Sequence, residues 1–143
     1  MSQPILLTIE SACDAIASAI DVSDYEGLFS KVNFYTGIDN EDKVGPCVIC
    51  SATEATELAP DLGVYEVKTA IIVKERAAKA NRETTTLADT IFGGFLTGSI
   101  ESELSSSGDN LTVYKAWVEN QQSGIEGKFW VEVLNLNVVC AKT

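Results

Sequence analysis

Residues 63–74, Gly-Val-Tyr-Glu-Val-Lys-Thr-Ala-Ile-Ile-Val-Lys, carry the most regular pattern in the chain. Side chains of an extended strand alternate between its two faces, so odd-numbered and even-numbered positions lie on opposite sides. Glu66 and Lys68 lie on the even-numbered face, which is therefore at least partly exposed. This alternation predicts a half-buried strand whose apolar face must be covered by the rest of the chain. That face holds β-branched and aromatic residues: Tyr65, Val67, Thr69, Ile71 and Val73.

Length and charge narrow the class of protein. At 143 residues, the chain is expected to form a single domain spanning residues 1–143. Its net charge is −11, and residues 1–63 hold eleven acidic but only two basic side chains. Gripping a phosphate backbone requires clustered Lys and Arg, so we expect no specific binding to nucleic acid. The acidic surface serves either solubility or the repulsion of an anionic partner.

The sequence shows no targeting signal. The first residues lack a basic segment, and the apolar stretch 5–20 is interrupted by Glu10 and Asp14. No apolar run approaches the roughly 18 residues of a membrane span. We therefore expect a soluble protein made in the cytoplasm.

The chain has four cysteines and no histidine. Cys47 and Cys50 form a C-x-x-C motif, which occurs in redox pairs and in zinc sites. The motif follows Pro46 in an apolar segment typical of a strand, where positions three apart point to opposite faces. We expect buried thiols that pack as small apolar side chains, and no metal or cofactor.

Periodicity divides the rest of the chain into helices and strands. Apolar residues recur every three or four positions in residues 4–20 and 86–103, which predicts two helices, the second interrupted by Gly93 and Gly94. The strands on either side of an acidic loop at 37–45 are expected to pair antiparallel, and the last two strands to form a hairpin around a turn at 121–127. The further strands are predicted at 31–36, 46–52, 111–118 and 129–140.

These elements predict an α+β fold. We expect a mostly antiparallel sheet with about two helices packed on one face, in the order helix, two or three strands, helix, two strands. Residues 53–62 are interpreted as a polar segment leading into the central strand. Residues 76–82, which are locally basic, are interpreted as an exposed connector.

No catalytic arrangement is apparent. Without histidine, the Ser-His-Asp and Cys-His systems are absent, and no pair of isolated carboxylates is evident. Residues 39–42 are acidic but lack the spacing of a calcium-binding loop. Trp117 and Trp130 lie on the two hairpin strands, where they form either a ligand platform or, more often in proteins, a packing contact. We predict that the protein is not an enzyme.

The order of elements resembles the tail terminator proteins of long-tailed bacteriophages, which are also called tail completion or head–tail joining proteins. The resemblance rests on the opening amphipathic helix, the segments 46–50 and 63–67, the strand 68–73, the helix from Leu87 and the closing hairpin that contains residues 130–133. It implies a homohexameric ring that caps the tail tube and joins it to the head connector of the virion. It also implies that viral DNA passes through the ring without specific binding.

Within this resemblance, acidic side chains suit a pore that must repel DNA, and apolar strand residues suit contacts between subunits. The candidate pore-facing residues are Asp39, Glu41, Asp42, Glu54 and Glu57. The candidate subunit-interface residues are Phe129, Val131, Val133 and Leu134.

A second hypothesis belongs to another class. The chain would be a small ligand-binding or adaptor domain that uses the sheet face or the tryptophan hairpin. This hypothesis predicts a stable monomer with one pocket, whereas the first predicts a ring.

Overall fold

The central strand expected at 63–74 is present as β3 in a computed structural model of the chain. The structure describes residues 5–20, 32–37, 47–59, 62–76, 82–108 and 110–142. Their elements are α1 (Ile5–Ser18), β1 (Asn33–Thr36), β2 (Cys47–Ala59), β3 (Val64–Arg76), α2 (Arg82–Gly93), α3 (Ile100–Ser107), β4 (Leu111–Glu126) and β5 (Phe129–Lys142).

The strands form one mostly antiparallel sheet, which confirms the predicted α+β class. Their order across the sheet is β1-β2-β3-β5-β4, so β3 pairs along its whole length with β5 on one side and over residues 64–74 with β2 on the other. Only β1 and β2 run parallel, and the antiparallel pairing expected for them is wrong. Alternation within a strand fixes which side chains share a face, but it does not fix the direction of the neighbouring strand.

The alternation predicted for β3 is present in the structure. Val67, Ile71 and Val73 are fully buried, whereas Lys68 on the other face is exposed. The three described helices pack against the first face and share one apolar core with it. The opposite side of the sheet is called the helix-free face below. None of the described helices is long and apolar enough to cross a membrane.

Two strands extend beyond their predicted ends. β2 continues through residues 53–59, which had been interpreted as a polar connector, and β4 continues through the predicted turn to Glu126. The real turn is Gly127 and Lys128, where Gly127 has a φ of 62°. A positive φ at the first central residue alone is typical of a type II′ turn, which suits a hairpin.

The second predicted helix is two helices. α2 ends at Gly93, and a turn separates it from α3. A Cβ atom on Gly94 would lie only 2.6 Å from Cδ1 of Ile20, so the glycine allows the chain to pass close to the end of α1. The helix α3 extends to Ser107, beyond the predicted end at residue 103.

Candidate assembly surface

The helix-free face carries an apolar area near the β4–β5 turn. Ile72 of β3 pairs with Val133 of β5, and the next rows toward the turn bring Val131 and then Phe129 onto the same face. All four side chains are half-buried although no other described element covers them. These residues, Ile72, Phe129, Val131 and Val133, are called the distal patch. Three of them were candidate interface residues; Ile72 was not, although its even-numbered position in the central strand placed it on this face.

One charged side chain completes the distal patch. Lys74 lies opposite Val131, and its Nζ atom is 4.0 Å from the centre of the Phe129 ring. The side chain is only 6% exposed, so its methylene groups lie along the apolar surface while the ammonium group contacts the ring. This contact places the ammonium group of Lys74 against the Phe129 ring, on the face that Glu126 also lines.

Leu134 does not belong to this surface. It lies one position after Val133, so its side chain points to the opposite face of β5 and is fully buried in the core. The four candidates were consecutive or nearly consecutive in an apolar run, and such a run does not reveal which face each side chain takes. Of the four candidate interface residues, Phe129, Val131 and Val133 are available to a partner, and Leu134 is not.

A shallow groove borders the distal patch on the side of β4. Gly124 lies opposite Val131 and has no side chain, so the face of Val131 and Val133 remains open. The groove encloses about 240 Å³ and is also lined by Gln122 and Glu126. The sequence had assigned this part of β4 to a turn, and its contribution was therefore missed.

The outer edge of β4 is protected in its first half only. The backbone N–H of Val113 donates to Oγ of Ser105 at 3.0 Å, and that of Ala116 donates to Oε1 of Glu101 at 3.3 Å. Both acceptors belong to α3, and irregularities in the strand register occur at residues 114 and 119. Such side-chain caps occupy the backbone groups that would pair with another chain, and each bulge interrupts the ladder locally.

The second half of the same edge has no such protection. Residues 120–125 are regular in register and carry no charge or proline. Among the described residues, none donates to or accepts from the outer backbone groups of 120–126. An exposed strand edge without charge, bulge or cover is a template for a further strand.

The candidate pore residues divide into two groups. Asp39, Glu41 and Asp42 lie outside the described residues. Glu54 and Glu57 are both exposed, but Glu54 pairs with a helix-free-face residue of β3 and Glu57 pairs with Tyr65 on the other face. The two glutamates therefore point to opposite sides of β2.

The cysteines are buried and free. Cys50 lies in the core and Cys47 on the helix-free face, as expected for positions three apart in a strand. Burial raises the pKa of Cys50 well above its ordinary value, and burial beside the carboxylates of α1 raises the pKa of Cys13 to about 12. Both thiols of the C-x-x-C motif are buried, whereas a redox pair has an exposed thiol. No group of three or more candidate metal-binding side chains occurs among the described residues.

The two tryptophans are not brought together. Trp117 pairs with Asn137 on the helix-free face, with Nζ of Lys115 5.2 Å from its ring centre. Trp130 lies seven positions along β5 from Asn137 and on the opposite face, where its Nε1 donates to Glu132 at 3.2 Å. The interpretation of Trp117 and Trp130 as a single ligand platform is therefore wrong.

A hollow lies on the helical side of the sheet. It measures about 470 Å³ and is open to solvent. The end of α1, with Ile16 and Ile20, forms one wall, and α3, with Ser102 and Ser106, forms the other. Its lining offers apolar side chains, hydroxyl groups and the half-buried carboxylate of Glu103, which accepts a hydrogen bond from Oγ1 of Thr97 at 2.9 Å.

Comparison with known proteins identifies a similar structure. No protein-family model matches the sequence, and no curated protein matches it. A chain from the virion of a native gene transfer agent particle has a similar fold, with a TM-score of 0.56 and 11% sequence identity. The similarity covers 97% of this chain and 99% of that chain. The fold is therefore shared over nearly the whole length of both chains.

Proposed function

We propose that this protein is a structural component of a phage-like particle, and not an enzyme. The observation that carries the proposal is the similarity in fold, over nearly the whole chain, to a protein from a gene transfer agent virion. A match confined to one motif would be compatible with many functions, whereas this match covers 97% of this chain and 99% of the other.

Within the particle, the chain forms a homohexameric ring that caps the tail tube and joins it to the head connector. This finer assignment is supported by the resemblance in element order to tail terminator proteins and by the surface of the hairpin. The distal patch exposes apolar side chains on a rigid strand pair, which suits a contact between subunits. Contacts of one kind repeated around an axis close into a ring.

DNA passes through this ring without specific binding. The net charge of −11 supports that role because like charges repel the phosphate backbone and leave few cations to bind it. Glu54 and Glu57 are exposed on opposite sides of β2, so at most one of them lines the pore wall, together with the acidic residues at 39, 41 and 42. Reversing the charge of the pore residues should slow DNA delivery; particles that carry Glu54→Lys and Glu57→Lys and deliver DNA at the normal rate would contradict the pore assignment.

Electron microscopy of the purified protein across a concentration series tests the ring. A sixfold ring with a central pore is expected, and it should bind to the end of purified tail tubes. Monomers at every concentration that also fail to bind tail tubes would contradict the proposal.

A ligand-binding domain is the second candidate, and the hollow between α1 and α3 is the observation that favours it. This function requires a monomer that binds a small molecule there. Substituting Ser102 or Ser106 with Trp would fill the hollow. If the protein is a ring component, these substitutions should leave assembly unchanged.

A further inference from the structure

The sheet has a second open edge, on the side away from β4. β1 covers the outer edge of β2 only at residues 47–50. The next outer backbone groups are also occupied, because the carbonyl of Cys50 accepts from the N–H of Gly37 and the N–H of Ala52 donates to Oε1 of Glu10. Beyond a bulge at Thr53, residues 54–57 are regular, and a second irregularity follows at residue 58. Among the described residues, none pairs with the outer backbone groups of 54–57.

The two open edges face in opposite directions. β2 and β4 lie on different sides of β3 and β5 and run antiparallel to each other. Two copies can be placed side by side so that their sheets form one continuous sheet with the helices of both on the same side. In this arrangement, β4 of the first copy lies beside β2 of the second and runs antiparallel to it. Antiparallel ladders are slightly more stable per residue than parallel ladders. Contacts between different edges are heterologous, and they form a closed ring when the rotation between copies permits.

Charge and side-chain direction select one register for this pairing. Placing Glu54 opposite Gly124 keeps like faces together, because both residues pair with helix-free-face positions in their own sheet. If β4 is shifted by two residues so that Glu54 lies opposite residue 126, two glutamates face each other. If β4 is shifted by two residues in the other direction, Glu57 lies opposite Glu119. Like charges directly opposite each other destabilise a strand pair. A shift of one residue would turn one strand over and mismatch its faces.

We propose that copies of this chain join by strand pairing between residues 121–124 of one copy and residues 54–57 of the next, with Gly124 opposite Glu54. The occupant of the open β4 edge is thus a second copy of the chain. The proposal rests on the proposed ring and adds the contact that builds it. The pairing leaves the distal patch at each junction, next to the strand of the neighbouring copy.

Engineered disulfides test this register. In the proposed pairing, Thr56 lies opposite Gln122, and both side chains are exposed on the helix-free face. Opposite Cβ atoms lie about 4.5–5.5 Å apart, close to disulfide distance. The double variant Thr56→Cys/Gln122→Cys should therefore form, under mild oxidation, a ladder of linked multimers that ends at the closed ring. The four native cysteines are buried and should contribute no background.

A register-shifted variant is the matched control. Thr56→Cys/Gly124→Cys moves one thiol by two residues, or roughly 6.6 Å along the strand. A Cβ atom at Gly124 meets nothing within 4 Å, so the fold should tolerate the change. This control should remain monomeric in a denaturing, non-reducing gel. A ladder from the control and none from the test pair would overturn the register.

Single variants separate the remaining outcomes. Gln122→Cys mixed with Thr56→Cys should give linked dimers only, and neither variant alone should link. Dimers from Gln122→Cys alone would mean that two β4 edges pair with each other, which overturns the proposal. Rings seen by electron microscopy without links in the test pair would also overturn it while leaving the proposed function intact. The absence of rings and links, together with no binding to tail tubes, would overturn both the strand pairing and the proposed function.

Discussion

Replacing Glu10 with Ala or with Gln separates two effects of its carboxylate on stability, which are the hydrogen bond that it accepts and the charge that it carries. Oε1 of Glu10 accepts the backbone N–H of Ala52 at 3.3 Å, and the side chain is only 6% exposed. This contact ties α1 to β2 immediately before the open edge. Burial raises the pKa of Glu10, while the hydrogen bond from Ala52 opposes the rise.

The two substitutions should act in opposite directions. Glu10→Ala leaves the N–H of Ala52 without its acceptor, which should cost about 1–3 kcal/mol in the free energy of unfolding. At about 2–4 °C per kcal/mol, Tm should fall by several degrees. Glu10→Gln keeps an oxygen acceptor and removes a poorly solvated charge, so at pH 7 its stability should equal or exceed that of the parent protein.

The pH dependence gives an independent check. Because the pKa of Glu10 is higher in the folded state, the folded state binds a proton before the unfolded state as the pH falls. Stability of the parent should therefore rise as the pH falls from neutral through the folded pKa. That gain ends below the unfolded pKa, which lies near the ordinary value of 4.5. The advantage of Glu10→Gln should shrink over the same range.

Urea unfolding followed by tryptophan fluorescence, at several pH values between 4 and 8, measures all three proteins. The linear dependence on urea gives the free energy of unfolding for each variant. If Glu10→Gln lost as much stability at pH 7 as Glu10→Ala, the charge itself would be stabilising. That result would refute the assignment of Glu10 as a poorly solvated acceptor for Ala52.

Three further predictions concern packing, the thiols and the distal patch. Gly94→Ala should be less stable than Gly93→Ala by about 1 kcal/mol, because its Cβ would lie 2.6 Å from Cδ1 of Ile20, which can move aside, and 3.3 Å from the carbonyl oxygen of Ile91. A Cβ on Gly93 meets nothing within 4 Å, so Gly93→Ala should be neutral or stabilising by up to about 1 kcal/mol; thermal unfolding measures both variants. The native protein should not react with a thiol reagent at pH 8, and all four cysteines should react in denaturant; a rapidly reacting native thiol would contradict their burial. Val131→Asp should abolish ring formation, and circular dichroism should show that the monomer is still folded. The control variant Tyr114→Asp changes a residue that is 60% exposed and lies outside the distal patch, and it should still form rings.

The hairpin shows how polar composition misleads strand prediction. The run of uncharged polar residues at 120–123, followed by Gly124, is typical of a turn. In the folded chain it is the end of a strand, because β5 supplies a regular ladder up to the pair of Glu126 with Phe129. β2 extends through a polar segment for the same reason, with β3 as its partner. Hydrogen bonds to a neighbouring strand outweigh local propensity in both cases.

The candidate interface was only partly predictable. Three of its residues were found because an apolar run ending near a hairpin turn stands out in the sequence. The separation of Val133 from Leu134 required the fold, because a strand that is apolar on both faces has no alternation to read. The protection of the β4 edge by Ser105 and Glu101 was also invisible, since it joins elements that only meet after folding.

The sequence alone determined the α+β class, the faces of the central strand and the closing hairpin. These features follow from side-chain periodicity and turn chemistry, which act between residues close together in the chain. The tertiary structure decided the parallel pairing of β1, the length of β2 and β4, and which edges remain open. Those features depend on which strands lie side by side, and burial of the shared core selects that arrangement from contacts between residues distant in sequence.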